Sequence, residues 1–295
     1  FFAKPKFQGK HHHVFNENED LSNTFGTNLP SSMIIKSGEW EFYSEKKFKS
    51  ESKFTRTFGP GMYDFEDEGI NVDFLSVKKI ADALPTEEIN ELILFEKGFF
   101  RGSHHHIFGL ERGDGDRNLA GSNFDNITRS IIVISGIWGF FENPDFEYTE
   151  FNRLGPGMYA TISYVAPNPA DNFTLIEADK LTSVMLYKST EKLSLNEILL
   201  FSDLNIQGQH HHVYCNDPNL NPSRIQNMTS SIVVVHGNWK FFGAPDFKGA
   251  EYWEDQTLGP GIYPDVTEYN IPDDVITSVR IGVDPPLIIA EPKPA

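Results

Sequence analysis

Nine of the ten histidines in this 295-residue chain fall in three copies of one pattern. They are His11-His12-His13 in "GKHHHVF", His104-His105-His106 in "GSHHHIF" and His210-His211-His212 in "GQHHHVY". Loops between the copies have diverged, yet every copy keeps all three imidazoles. Neutral imidazole is a common ligand for transition metals. The residues around each triplet are β-branched and aromatic, so each triplet reads as part of a strand. On a strand, residues two apart share a face and the residue between them points the other way. His104 and His106 can therefore chelate one ion, as can His11 with His13 and His210 with His212. The middle residues His12, His105 and His211 then serve a different metal site or the core. Three such strands gathered about a pseudo-threefold axis would present six imidazoles on one side and three on the other; alternatively, each pair acts with ligands from its own domain. Imidazoles without a thiolate are unlike structural zinc. They suit copper first, then iron or catalytic zinc, and with copper or iron they suit O2 chemistry.

No other catalytic constellation is legible. His236 stands where Ser37 and Ser135 stand in the other copies, and it reads as a turn residue. No Ser-His-Asp or Cys-His arrangement can be assembled from it. "GPGMY" lacks the lysine and following helix of a phosphate-cradling loop. The single cysteine, Cys215, rules out an internal disulfide framework and reads as a small buried hydrophobe.

The elements that must position the histidines repeat with a period of about one hundred residues. Upstream of each triplet lie Phe2-x4-Phe7-x-Gly9, Phe95-x4-Phe100-x-Gly102 and Phe201-x4-Ile206-x-Gly208. Downstream come "SGEW", "SGIW" and "HGNW", and then Tyr43-x4-Phe48, Phe141-x4-Phe146 and Phe242-x4-Phe247. "FGPGMY", "LGPGMY" and "LGPGIY" follow, and each unit closes on a hydroxyl-rich strand. β-branched and aromatic alternation broken by Gly, Pro, Asn and Asp predicts strands and tight turns. "PTEEINELILF" (85–95) and "TEKLSLNEILLF" (190–201) carry helical charge features but run into strands, and read as linkers with a short helical turn.

Composition narrows the function classes. Hydrophobic residues make up 39% and the net charge is −17, which describes a globular, acidic chain. That field repels phosphate backbones and anionic lipid and attracts cations, so nucleic acid and membranes are excluded as partners. No apolar run is long enough to span a bilayer. The chain opens on "FFAKPKF", already strand-like, consistent with a removed leader. Three sequons, at Asn126, Asn172 and Asn227, join it in pointing to a secreted glycoprotein.

The six aromatic-spaced motifs together resemble the βγ-crystallin superfamily. Phe95, Phe100 and Gly102 carry a first motif, Phe141 and Phe146 a second, and Ser130 and Ser183 lie in the later strands. The resemblance implies an all-β chain of three tandem double-Greek-key β-sandwich domains, spanning 1–84, 85–190 and 191–295. It also implies a test for calcium through an acidic-acidic-x-x-hydroxyl-Ser loop, which only Asp273-Asp274-Val-Ile-Thr277-Ser278 completes. Asp273, Asp274 and Ser278 are therefore the candidate calcium ligands. The histidines are not part of the family pattern. Two functional expectations follow. The first is a metal-dependent oxidase or oxygenase acting on a small organic substrate, of which a luciferase would be one case. The alternative is a non-enzymatic crystallin-type protein that holds calcium or sequesters metal.

Overall fold

The computed structural model describes residues 1–26, 29–49, 55–147, 150–162, 176, 180–251 and 257–282. The chain divides into two compact units, Phe1–Ser194 and Leu195–Ala295. Six antiparallel sheets account for nearly all of the regular structure. In the first, the strands run in the order Gln8–His11, Phe2–Lys4, Ser32–Ile35 and Gly61–Asp64. The same order recurs as Arg101–Gly109, Asn90–Lys97, Ser130–Val133 and Gly157–Tyr159. In the second unit it recurs as Gln207–Val213, Glu197–Asp203, Ser231–His236 and Gly261–Tyr263. A second sheet accompanies each. The strand after each of the first two triplets, Glu17–Asn18 and Gly115–Asp116, leaves the first sheet and pairs in the other. This exchange is the Greek key.

One local device is built six times. The second aromatic or aliphatic residue of each x4 pattern and the residue before it are left-handed: Lys6 and Phe7, Lys47 and Phe48, Phe99 and Phe100, Asp145 and Phe146, Asn205 and Ile206, Asp246 and Phe247. Such a pair of non-glycine residues is costly unless its surroundings hold it. A buried serine from a later strand does so. The amide of Phe100 donates to Ser130 Oγ at 3.0 Å, and Ser130 Oγ donates to the Lys97 carbonyl at 2.6 Å. Ser32, Ser76, Ser183, Ser231 and Ser278 make the same two bonds in the other five copies. Gly9, Gly102 and Gly208, each at φ +81°, complete the fold of the hairpin ahead of the triplets. Ser130→Ala is expected to cost about 1–3 kcal/mol, because it strands a buried amide and a carbonyl together. Urea unfolding with an unchanged slope would report it.

The hydrophobic interior forms three clusters, centred on Trp40 and Phe42, on Trp138 and Phe140, and on Trp239 and Phe241. Each indole nitrogen donates to a carbonyl three residues earlier, at Ser37, Ser135 and His236. The glycine-proline-glycine turns are closed by tyrosine: Tyr63, Tyr159 and Tyr263 donate to the carbonyls of Gly59, Gly155 and Gly259. His236, read from the sequence as a turn residue, is instead the exposed last residue of the strand Ser231–His236, and its carbonyl accepts from the Trp239 indole.

The linkers correct one expectation. Residues 85–89 and 190–196 contain no helical turn, and "NELILF" and "NEILLF" are the central strands of their sheets. Pairing on both sides buries Leu92, Ile93 and Leu94 completely, and this overrides the local helical charge pattern. The described residues contain no helix long and apolar enough to cross a membrane.

Candidate metal centre

Within the first unit the triplets at 11–13 and 104–106 meet. His11 Nε2 lies 3.2 Å from His104 Nε2. Two nitrogens bound to one tetrahedral ion at 2.0–2.1 Å would be separated by about 3.3 Å, so this pair already has the spacing of two ligands of one metal. One ring nitrogen each of His11, His13 and His106 also lie within 4.8 Å of one another. His11 is the hub. Its ring centroid is 5.3 Å from that of His13, 5.0 Å from His104 and 5.0 Å from His106. His13 and His106 are 5.4 Å apart, and His104 and His106 are 5.3 Å apart.

The strand period and the aromatic framework hold these rings. The first histidine of each triplet lies against the opening phenylalanine of the motif: His11 on Phe2, His104 on Phe95 and His210 on Phe201. The third stacks on the aromatic residue two positions later: His13 on Phe15, His106 on Phe108 and His212 on Tyr214. Phe2 in turn meets Phe108 edge to face, at 6.2 Å. Gln8 donates to Asp116 at 3.0 Å and Lys4 donates to the Gly121 carbonyl at 2.7 Å, tying the first repeat to the segment that follows the second triplet's strand.

A carboxylate orients one ligand. Glu91 is buried, and its Oε1 lies 2.8 Å from His106 Nδ1 while its Oε2 accepts from Lys36 Nζ at 2.5 Å. Burial pushes the Glu91 carboxyl up, but the Lys36 ammonium and the hydrogen bond from His106 outweigh it and hold the group well below the usual carboxylate range. An ionised carboxylate only accepts, so His106 must carry its proton on Nδ1. That tautomer leaves the Nε2 lone pair for a metal, the usual carboxylate–histidine–metal relay. Glu91→Gln is expected to lower metal affinity about 10- to 100-fold. Calorimetric titration, with near-UV circular dichroism confirming the fold, would measure it.

The second unit carries the same relay. His210 and His212 have ring centroids 5.5 Å apart, and His212 Nδ1 is 2.8 Å from Glu197 Oε1, which also accepts from the Tyr214 hydroxyl at 2.8 Å.

The middle histidines lie elsewhere. His12, His105 and His211 are each 2% exposed and face away from the outer rings. His105 Nε2 is 2.9 Å from Asp116 Oδ2 and its ring lies against Phe124. His12 meets Phe25 edge to face, and burial pushes its imidazole down to about 3. They belong to the interior side of their strands and not to the outer cluster.

The other candidates are scattered. Asp273 and Asp274 are exposed at a turn, with Asp274 left-handed at φ 59°. Ser278 is buried and spends its hydroxyl on the Ala244 carbonyl and the Phe247 amide, so the fold itself uses it. Asn126 and Asn227 are exposed and left-handed, and Asn172 lies outside the described residues. Cys215 is half-buried and not fully buried.

Sequence reasoning missed Glu91, Glu197 and Lys36. A signal for the two glutamates was present, since "NELILF" and "NEILLF" both place Glu four residues before the motif phenylalanine.

The Beta/Gamma crystallin family profile matches residues 1–80 and 197–281, together more than half of the chain. The human Beta/gamma crystallin domain-containing protein 1 is 28% identical over 188 residues, which are 60% of this chain and 8% of that protein's length. A Beta/gamma-crystallin from Ciona intestinalis is 30% identical over 86 residues, 29% of this chain and 98% of the relative. Among solved structures, a transition-metal-ion-binding βγ-crystallin from Methanosaeta thermophila is 32% identical, covering 28% of this chain and 96% of its own, with a TM-score of 0.25. The stretch between the two matched segments repeats the same sheet order and the same serine-held hairpins. The chain is a member of the beta/gamma-crystallin family.

Proposed function

We propose that this crystallin-type protein binds a transition metal at the cluster of His11, His13, His104 and His106. The observation that carries the reading is that His11 joins imidazoles of two triplets, its Nε2 3.2 Å from that of His104 and a ring nitrogen within 4.8 Å of one each of His13 and His106. A net charge of −17 raises the local concentration of cations around such a site. The supported role is metal holding or sequestration, without turnover. Titration with Co2+ against a competing chelator tests it. Binding would give d–d absorption bands that saturate and that fade on acidification, because imidazole ligands must be unprotonated to bind. No bands at saturating metal would remove the reading.

A second reading rests on the donor set. Among the described residues the cluster is imidazole without a thiolate, which favours copper or iron over structural zinc and is compatible with an oxidase or oxygenase. O2 consumption by copper- or iron-loaded protein in the presence of a small organic reductant separates the two. Secretion and glycosylation at the exposed Asn126 and Asn227 belong to the same proposal, and a mass shift on deglycosylation of protein from a eukaryotic secretory host tests them.

A further inference from the structure

The two strands that bring the histidines of the first unit together belong to different sheets. Gln8–His11 is the outermost strand of one and pairs with Phe2–Lys4. Arg101–Gly109 is the outermost strand of another and pairs with Asn90–Lys97. No ladder register therefore sets one against the other, and side chains must do it. Ligands of one ion have to be held to within about 0.5 Å of their working geometry.

One buried carboxylate reaches both strands. Asp116, in the short strand Gly115–Asp116, is 5% exposed. Its Oδ2 lies 2.9 Å from Nε2 of His105, the residue between His104 and His106. Its Oδ1 accepts from Gln8 Nε2 at 3.0 Å, and Gln8 lies three residues before His11 on the other strand. The Asn118 amide donates to Oδ1 at 2.9 Å and the Ser122 hydroxyl to Oδ2 at 3.4 Å, so each oxygen has two partners. Burial pushes the carboxyl up, but the hydrogen bonds from His105, the Asn118 amide and Gln8 outweigh it and hold the group below the usual carboxylate range.

The fold alone explains only part of this. Asn18 and Asp217 occupy the same position in the other repeats, and each accepts the amide two residues later, as Asp116 does. That turn needs neither His105 nor Gln8. The path of Gln8 is also cleared for it, since a Cβ on Gly121 would stand 2.1 Å from Gln8 Oε1. The Gly121 backbone is in a conformation open to any residue, so the glycine answers to space and not to φ.

We propose that Asp116 is a positioning residue of the metal centre, tying Gln8 on the strand of His11 to His105 on the strand of His104 and His106. The carboxylate works from the interior side, beneath the outer imidazoles, and touches none of them. The inference rests on the metal reading above.

The test compares Gln8→Ala, Gly121→Ala and Asp116→Ala with the unaltered full chain. Gln8 is half-buried and the Gly121 backbone accepts alanine, so these two variants keep the measurement open if Asp116→Ala does not fold. Each is expected to bind Cu2+ about 10- to 100-fold more weakly. Electron paramagnetic resonance of the copper-loaded variants is expected to show fewer imidazole nitrogens on the ion. Unchanged affinity and nitrogen number in Gln8→Ala and Gly121→Ala would overturn the role. Weaker binding with an unchanged nitrogen number would overturn it too, because general destabilisation then accounts for the loss. In metal-free protein, the nuclear Overhauser contact between the His11 and His104 rings, whose centroids are 5.0 Å apart, is expected to be lost in Gln8→Ala. An equal contact in both would overturn the positioning role. An unaltered chain that takes up no Cu2+ removes the metal reading, and the ring contact still decides whether Asp116 sets the strands.

Discussion

Replacing His11 with alanine is expected to weaken transition-metal binding by more than about 100-fold, the upper end of what removing a residue behind a ligand costs. The reason is position. His11 is the ring that touches His13, His104 and His106, so its loss removes a ligand and also opens the contact between the two strands. His104→Ala removes the nitrogen 3.2 Å from His11 and leaves the His11, His13 and His106 group in place. It is therefore expected to cost less. His236→Ala is the control, since that side chain is exposed at a strand end in the second unit, and its affinity should match the unaltered protein. Competition titration on the three variants checks the order. Equal affinities for His11→Ala and His236→Ala would refute it.

Trp138→Ala is expected to be the most damaging single substitution to stability in the first unit, at about 3–5 kcal/mol. The side chain is fully buried and packs with Leu92, Ile131 and Leu186, while its indole nitrogen donates to the Ser135 carbonyl at 2.7 Å. Truncation leaves a cavity bounded by two sheets that cannot collapse onto each other, and a carbonyl without its donor. For a unit of this size the loss corresponds to a fall in Tm on the order of 10 °C. Trp40, the counterpart in the first repeat, is 8% exposed against 0% for Trp138, and Trp40→Ala should cost less. Calorimetry on both variants decides this, and a larger loss at Trp40 would count against the assigned core.

Why some of this was legible from residues alone follows from the kind of constraint each residue meets. The x4-x-Gly spacing is local: Phe95, Phe100 and Gly102 belong to one hairpin, and only glycine suits φ +81° ahead of the triplet. The glycine-proline-glycine turn and its tyrosine lie within five residues of each other. The alternation of His104, His105 and His106 is a property of any strand, and the structure separates the outer rings from the middle one accordingly. Glu91 is different. It reaches His106 through the pairing of two strands, fifteen residues apart in sequence, and Lys36 reaches it from another repeat. The recurrence of Glu four residues before Phe95 and Phe201 marks the position, but neither partner is given by a spacing rule. The stretch from Pro85 to Phe95 misled for a related reason. Its acidic residues and aliphatic run suit a helix turn locally, and only sheet pairing on both sides of Leu92 and Ile93 makes it a strand.

Metal content is the most direct measure of the central claim. Protein expressed without added metal, exposed to equimolar Cu2+, Zn2+ and Fe2+ and then dialysed, is analysed by elemental mass spectrometry beside a variant with His11, His13, His104 and His106 all replaced by alanine. The predicted result is at least one transition metal ion per folded chain, with about one equivalent fewer in the variant. A protein that retains none of the three metals, or a variant that retains as much as the unaltered chain, would contradict the account.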